Sequence, residues 1–87
     1  MVILDALEMT DIQAAHEYIQ CQLDFPAYYG HNLDALWDML STISEPLHII
    51  LINADKLPAN LGGYAELLLA VFIEAAESNN ALKFELV

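Results

Sequence analysis

The sequence predicts an α/β fold in which a small parallel sheet carries helices packed against it. Three apolar runs have strand character: Val2, Ile3 and Leu4; Leu47 to Ile52; and Leu82, Phe84 and Leu86 in alternation with polar neighbours. The stretches between them repeat apolar residues at helical spacing, and each exceeds the dozen or so residues that a crossover between parallel strands requires. The expected order is strand, helix, helix, strand, helix, strand.

The first run is short, apolar and β-branched, as in a buried strand, and a turn follows near Leu7 to Met9. Thr10 or Asp11 can then cap a helix on which Ile12, Ala15, Ile19 and Leu23 recur, with Gln13, Glu17 and Gln20 opposite. Phe25-Pro26 ends that pattern, and Pro-Ala-Tyr-Tyr-Gly is a connector. Asn32 is a cap for a second helix that runs to Leu40 or Ser41, and Glu45-Pro46 is a break. The continuous Leu-His-Ile-Ile-Leu-Ile run is expected to be a central strand covered on both faces. After it, residues 55–63 have room for one helical turn, broken by Pro58 and by Gly62-Gly63. A long helix from Tyr64 to Glu77 or Ser78 places Leu68, Val71, Phe72 and Ala75 in one stripe, and Ser-Asn-Asn turns the chain into the last strand.

A chain of 87 residues fits a single domain spanning 1–87, with an adequate core and no room for a second module. It is 57% hydrophobic and only 17% charged, far from the composition of disordered chains. Thirteen acidic residues against two lysines and no arginine give a net charge of -11. Nucleic acid and anionic membranes are poor partners for such a chain, because both need basic residues against phosphate. A basic protein is the natural counterpart, although acidity also serves solubility, and self-repulsion favours a free monomer. Cys21 is the sole cysteine, so neither an internal disulfide nor a thiolate cluster can form, and its flanks Tyr18, Ile19 and Leu23 suggest a buried thiol. No basic N-terminal start with a long apolar run is seen, and no run reaches the roughly 20 apolar residues of a membrane span, so a cytosolic protein is expected.

The second helix separates two faces. With about 100° per residue from Leu33, the side chains of Leu36, Trp37 and Leu40 fall within about 60° of it, whereas Asp34, Asp38 and His31 lie at about 100°, 140° and 160°. Asp34 sits in the first turn, where the helix dipole favours an anion. Asp38 has no such support: it lies past that turn, is a poor helix former and repels Asp34 at i,i+4. A position that breaks local rules in this way points to function. His31 beside two carboxylates also resembles an acid-base or metal cluster, yet there is no HExxH pair, no second ligand at suitable spacing and no Gly-rich phosphate loop. No metal, cofactor or catalytic role is therefore expected. His16 is expected at the surface and His48 in the core.

Residues 26–40 read PAYYGHNLDALWDML, and this segment resembles the signature of the barstar family of ribonuclease inhibitors through its YYGxNLDALWD core. The likeness continues at residues 65–75, AELLLAVFIEA, and in the order of elements over nearly the whole chain. The resemblance implies a three-stranded parallel β-sheet packed against three main α-helices plus a short helical turn. It also implies a ribonuclease-binding surface made of the second helix and its flanking loops. On that likeness Asp38 enters the enzyme's active site in place of a substrate phosphate, and Asp34 pairs with a cation at the rim. Tyr28 stacks on an active-site histidine, Asn32, Leu33, Ala35 and Trp37 shape the surrounding contact, and Glu74 is a further acidic contact. Thr42, Ile43 and Glu45 in the loop complete the implied set.

The chain departs from the family pattern in two places. His31 stands where the pattern has an acidic residue, and the segment between Leu40 and Pro46 is one residue shorter, with Ile43 in place of an aromatic contact residue. These departures bear on which target is bound: barnase, another secreted ribonuclease, or the nuclease tip of a bacterial toxin. A non-nuclease basic protein is the alternative partner.

Overall fold

A computed structural model describes residues 1–87. Strand β1 (Val2–Asp5) leads through a 3-10 turn (Ala6–Glu8) to α1 (Ile12–Leu23), α2 (Leu33–Ser41) and β2 (Leu47–Ile52). A second 3-10 turn (Ala54–Lys56), α3 (Leu57–Leu61), α4 (Tyr64–Ser78) and β3 (Leu82–Leu86) complete the chain. The sheet has the order β1-β2-β3, and both pairings are parallel. This is the α/β architecture expected of the sequence, with three strands and four helices.

Local chemistry accounts for the boundaries. Asp11 caps α1 by accepting a hydrogen bond from the Ala14 amide at 2.7 Å. At its other end Asp24 turns left-handed, and the Phe25 amide donates back to the Gln20 carbonyl at 3.0 Å. The single helical turn expected over residues 55–63 is instead a 3-10 turn followed by α3. Pro58 does not break α3, because it occupies the first turn, where no backbone N–H is needed for the helix. Gly62 ends α3 with φ of 60°, a left-handed conformation that glycine adopts without strain.

Seventeen buried apolar residues form the core. The sheet rows Val2–Ile49–Phe84 and Leu4–Leu51 face it, and Phe84 stacks on Phe72 of α4 with ring centroids 4.9 Å apart. The expectation that β2 is covered on both faces does not hold. On the opposite face the row Ile3–Ile50–Glu85 contains no buried residue, and Ile3 is 52% exposed. The continuous apolar run therefore conceals an alternation, with Ile49 and Leu51 sealed and His48, Ile50 and Ile52 only half-covered.

The two histidines exchange the expected places. His16 is fully buried, whereas His48 lies on the half-covered face, its Nε2 3.2 Å from Glu85 Oε1. That approach lacks hydrogen-bond alignment and is an ion pair only when the ring is protonated. Cys21 is exposed rather than buried, because about 100° per residue carries it to the side of α1 opposite Ile19 and Leu23. Ile12, expected in the core stripe, is also exposed.

Candidate functional site

The connector before α2 is fastened from below. The Tyr29 amide donates to the Pro26 carbonyl at 3.0 Å, and Gln20 Nε2 donates to the same carbonyl at 2.9 Å. The Tyr29 ring packs against Phe25, with centroids 5.1 Å apart, and its hydroxyl lies 2.7 Å from His16 Nδ1. His16 Nε2 is 2.7 Å from the Tyr64 hydroxyl, so one imidazole ties the connector to α1 and α4. A neutral ring has one donor and one acceptor nitrogen, so one tyrosine accepts and the other donates. Burial, with a smaller contribution from His31, lowers the His16 pKa, and burial followed by the neighbouring Tyr64 pushes the Tyr29 phenol up. Both rings are held neutral at ordinary pH.

Anchoring of Tyr29 leaves Tyr28 at the surface, 79% exposed. Gly30 follows where the connector crosses the first turn of α2: a Cβ there would lie 3.3 Å from both Ala35 Cβ and Asn32 Nδ2. His31 adopts φ of 51°, and its Nε2 lies 2.6 Å from Gln20 Oε1. Asn32 then caps α2, accepting from the Ala35 amide at 2.8 Å while its Nδ2 donates to the Gly30 carbonyl at 3.1 Å. Its side chain is thus occupied with shaping the loop and the helix start.

Along α2 the two faces separate as the helical wheel requires. Leu36 and Leu40 are buried, Leu33, Ala35 and Trp37 rest half-buried against the core, and Asp34 and Asp38 are exposed. Neither carboxylate has a cation within 4.0 Å; the three close charge pairs of the molecule are His48–Glu85, Lys56–Asp55 and Lys83–Glu85. The Thr42 hydroxyl ends the helix by donating to the Asp38 carbonyl at 2.8 Å, which orients the loop that carries Ile43 and Glu45. Ile43 leans on the core, whereas Thr42 and Glu45 are exposed. Glu74 lies exposed on α4, the helix against which α2 packs.

Two supports of this surface were not legible as such in the sequence. His16, Tyr29 and Tyr64 form the network below the connector. Asn79 is the second support: its Nδ2 donates to the carbonyls of Leu40 at 3.0 Å and Ile43 at 2.9 Å, while its Oδ1 accepts from the Ala81 amide at 3.0 Å. One side chain thereby pins the end of α2 and the following loop to the turn before β3. His16 did give a signal, since about 100° per residue places it only about 20° beyond Leu23, at the edge of the apolar arc of α1. Asn79 gave none beyond its preference for turns.

The whole chain, residues 1–87, matches the sequence model of a family described as "Barstar (barnase inhibitor)". The chain belongs to the barstar family. It is also 42% identical over 77 residues to a Bacillus subtilis (strain 168) protein named "Putative ribonuclease inhibitor YrdF", a match that covers 87% of this chain and 85% of that one. The segment at residues 26–40 that carries the sequence resemblance coincides with the fastened connector and the two-faced α2.

Proposed function

We propose that this barstar-family chain is a ribonuclease inhibitor that blocks the active site of a basic ribonuclease with α2, Asp38 standing in for a substrate phosphate. The observation that carries the reading is the pair of exposed carboxylates without cationic partners on a helix whose other side is locked into the core. An enzyme that binds RNA needs cations for phosphate. Carboxylates already fixed on a helix meet such cations through charge-assisted hydrogen bonds at little further ordering cost.

In this reading Asp38 enters the phosphate site, Asp34 and Glu74 meet cations nearer the rim, and Tyr28 reaches an aromatic or imidazole ring of the enzyme. Leu33, Ala35, Trp37 and Ile43 supply the apolar contact, and Asn32, Thr42 and Glu45 the polar border. The chain acts as one domain, 1:1 with its target and without turnover of its own, in the cytosol. A secreted ribonuclease of the same cell and a rival's nuclease toxin both suit the mechanism.

Barnase, which the family description names, is the first enzyme to test. Removal of one member of a desolvated charge pair costs about 3–5 kcal/mol. Asp38→Ala is therefore expected to raise the inhibition constant more than about hundredfold, against little change for Glu8→Ala at the exposed 3-10 turn. Equal, small effects of the two substitutions would sink the proposed binding face. Capture of a basic partner without nuclease activity, on the same Asp38-dependent face, would favour the alternative target.

A further inference from the structure

An open groove of about 340 Å³ lies between the ends of α1 and α2 and the start of β2. Its walls are Leu23, Phe25, Met39, Ile43 and Leu47, all half-buried, and Glu45 stands exposed among the lining residues. Met39 follows Asp38 directly in the chain, about 100° around the helix from it, and Thr42, whose hydroxyl holds the Asp38 carbonyl, also lines the groove.

The chemistry of the groove selects its occupant. A volume near the lower end of the roughly 300–1,000 Å³ of ligand sites has room for one long side chain. Five of the eight lining residues are apolar; of the polar three, Thr42 has its hydroxyl committed to the backbone of α2, and Ser44 and Glu45 are exposed. Glu45 has no cation within 4.0 Å, and both lysines are paired elsewhere. A largely apolar trough with one unpaired carboxylate in its lining suits a side chain with an aliphatic stem and a cationic head. Arginine fits better than lysine, since its guanidinium is more weakly hydrated, lies flat on apolar surface and meets a carboxylate with two donors. Asn79 holds the Ile43 carbonyl from behind, so that wall is fixed before binding.

We propose that this groove is a second recognition site, which takes one arginine side chain of the basic protein docked on α2, with the guanidinium on Glu45. The partner's nature rests on the proposed function, but the groove's preference can be measured without any ribonuclease. The probe is n-butylguanidinium, titrated into the protein while methyl resonances are followed by NMR. Saturable shifts are expected at Leu23, Met39, Ile43 and Leu47. Binding should weaken about threefold in Glu45→Gln, as for an exposed ion pair, be weaker still for uncharged n-pentanol, and be unchanged in Asp38→Ala. Absence of saturable shifts, equal binding by Glu45→Gln, or loss of binding in Asp38→Ala would each overturn the proposal. The two readings fail separately: inhibition of barnase without guanidinium binding removes the groove alone, and guanidinium binding without inhibition of any ribonuclease removes the α2 reading alone.

Discussion

His16 shows how one side chain couples stability to the geometry of the connector. The ring is enclosed and bonded to two tyrosine hydroxyls, and its pKa lies below the 6.5 of a free imidazole. The unfolded chain therefore takes up a proton first as the pH falls. Stability from this group is complete above about pH 6.5 and is lost as the pH drops through the lower folded value. The midpoint of urea unfolding is expected to fall between about pH 7.5 and 5.5, and His16→Gln is expected to flatten that slope. Tyr29→Phe would leave a buried ring nitrogen without its partner, at a cost of about 1–3 kcal/mol read from the same unfolding curves. The sequence hid this because a histidine between alanine and glutamate reads as polar surface, although its position on the wheel bordered the apolar arc.

At the scale of elements, α2 was the most legible part of the molecule. Its cap, its apolar face and its carboxylate face are all set within ten residues, Asn32 to Ser41, and tertiary packing agrees with each. The loop after it was not legible, because its support comes from Asn79, 36 to 39 residues away in the chain. The Asn79→Ala variant is expected to lose about 1–3 kcal/mol of stability and to show faster amide hydrogen exchange at Thr42 to Glu45, while exchange in the middle of α1 is spared. The alternation hidden in β2 has a similar origin: a run of apolar residues does not say how many faces a three-stranded sheet covers. Pro58 misled for a different reason, since the same ring that breaks a helix interior is accommodated in a first turn.

For the molecule as a whole, the decisive property is its charge. A net charge of -11 with two exposed, paired lysines leaves strong self-repulsion in the free protein and strong attraction for a basic surface. Salt screens both, with opposite consequences. Raising ionic strength from about 20 to 200 mM is expected to raise the melting temperature of the free protein while lowering its association rate with barnase, in scanning calorimetry and stopped-flow mixing respectively. The charge, the fold and the two faces of α2 were readable from the sequence alone; what the sequence did not show is that the α2 carboxylates have no cationic partner within the molecule. On the proposed function this unpaired side occupies the phosphate site of a ribonuclease. Competition between the protein and a 3′-mononucleotide for barnase, measured by titration calorimetry, reads that occupancy. Mutually exclusive binding is expected, with the protein's apparent affinity falling in proportion to nucleotide occupancy. A ternary complex, with affinity unchanged at saturating nucleotide, would contradict it.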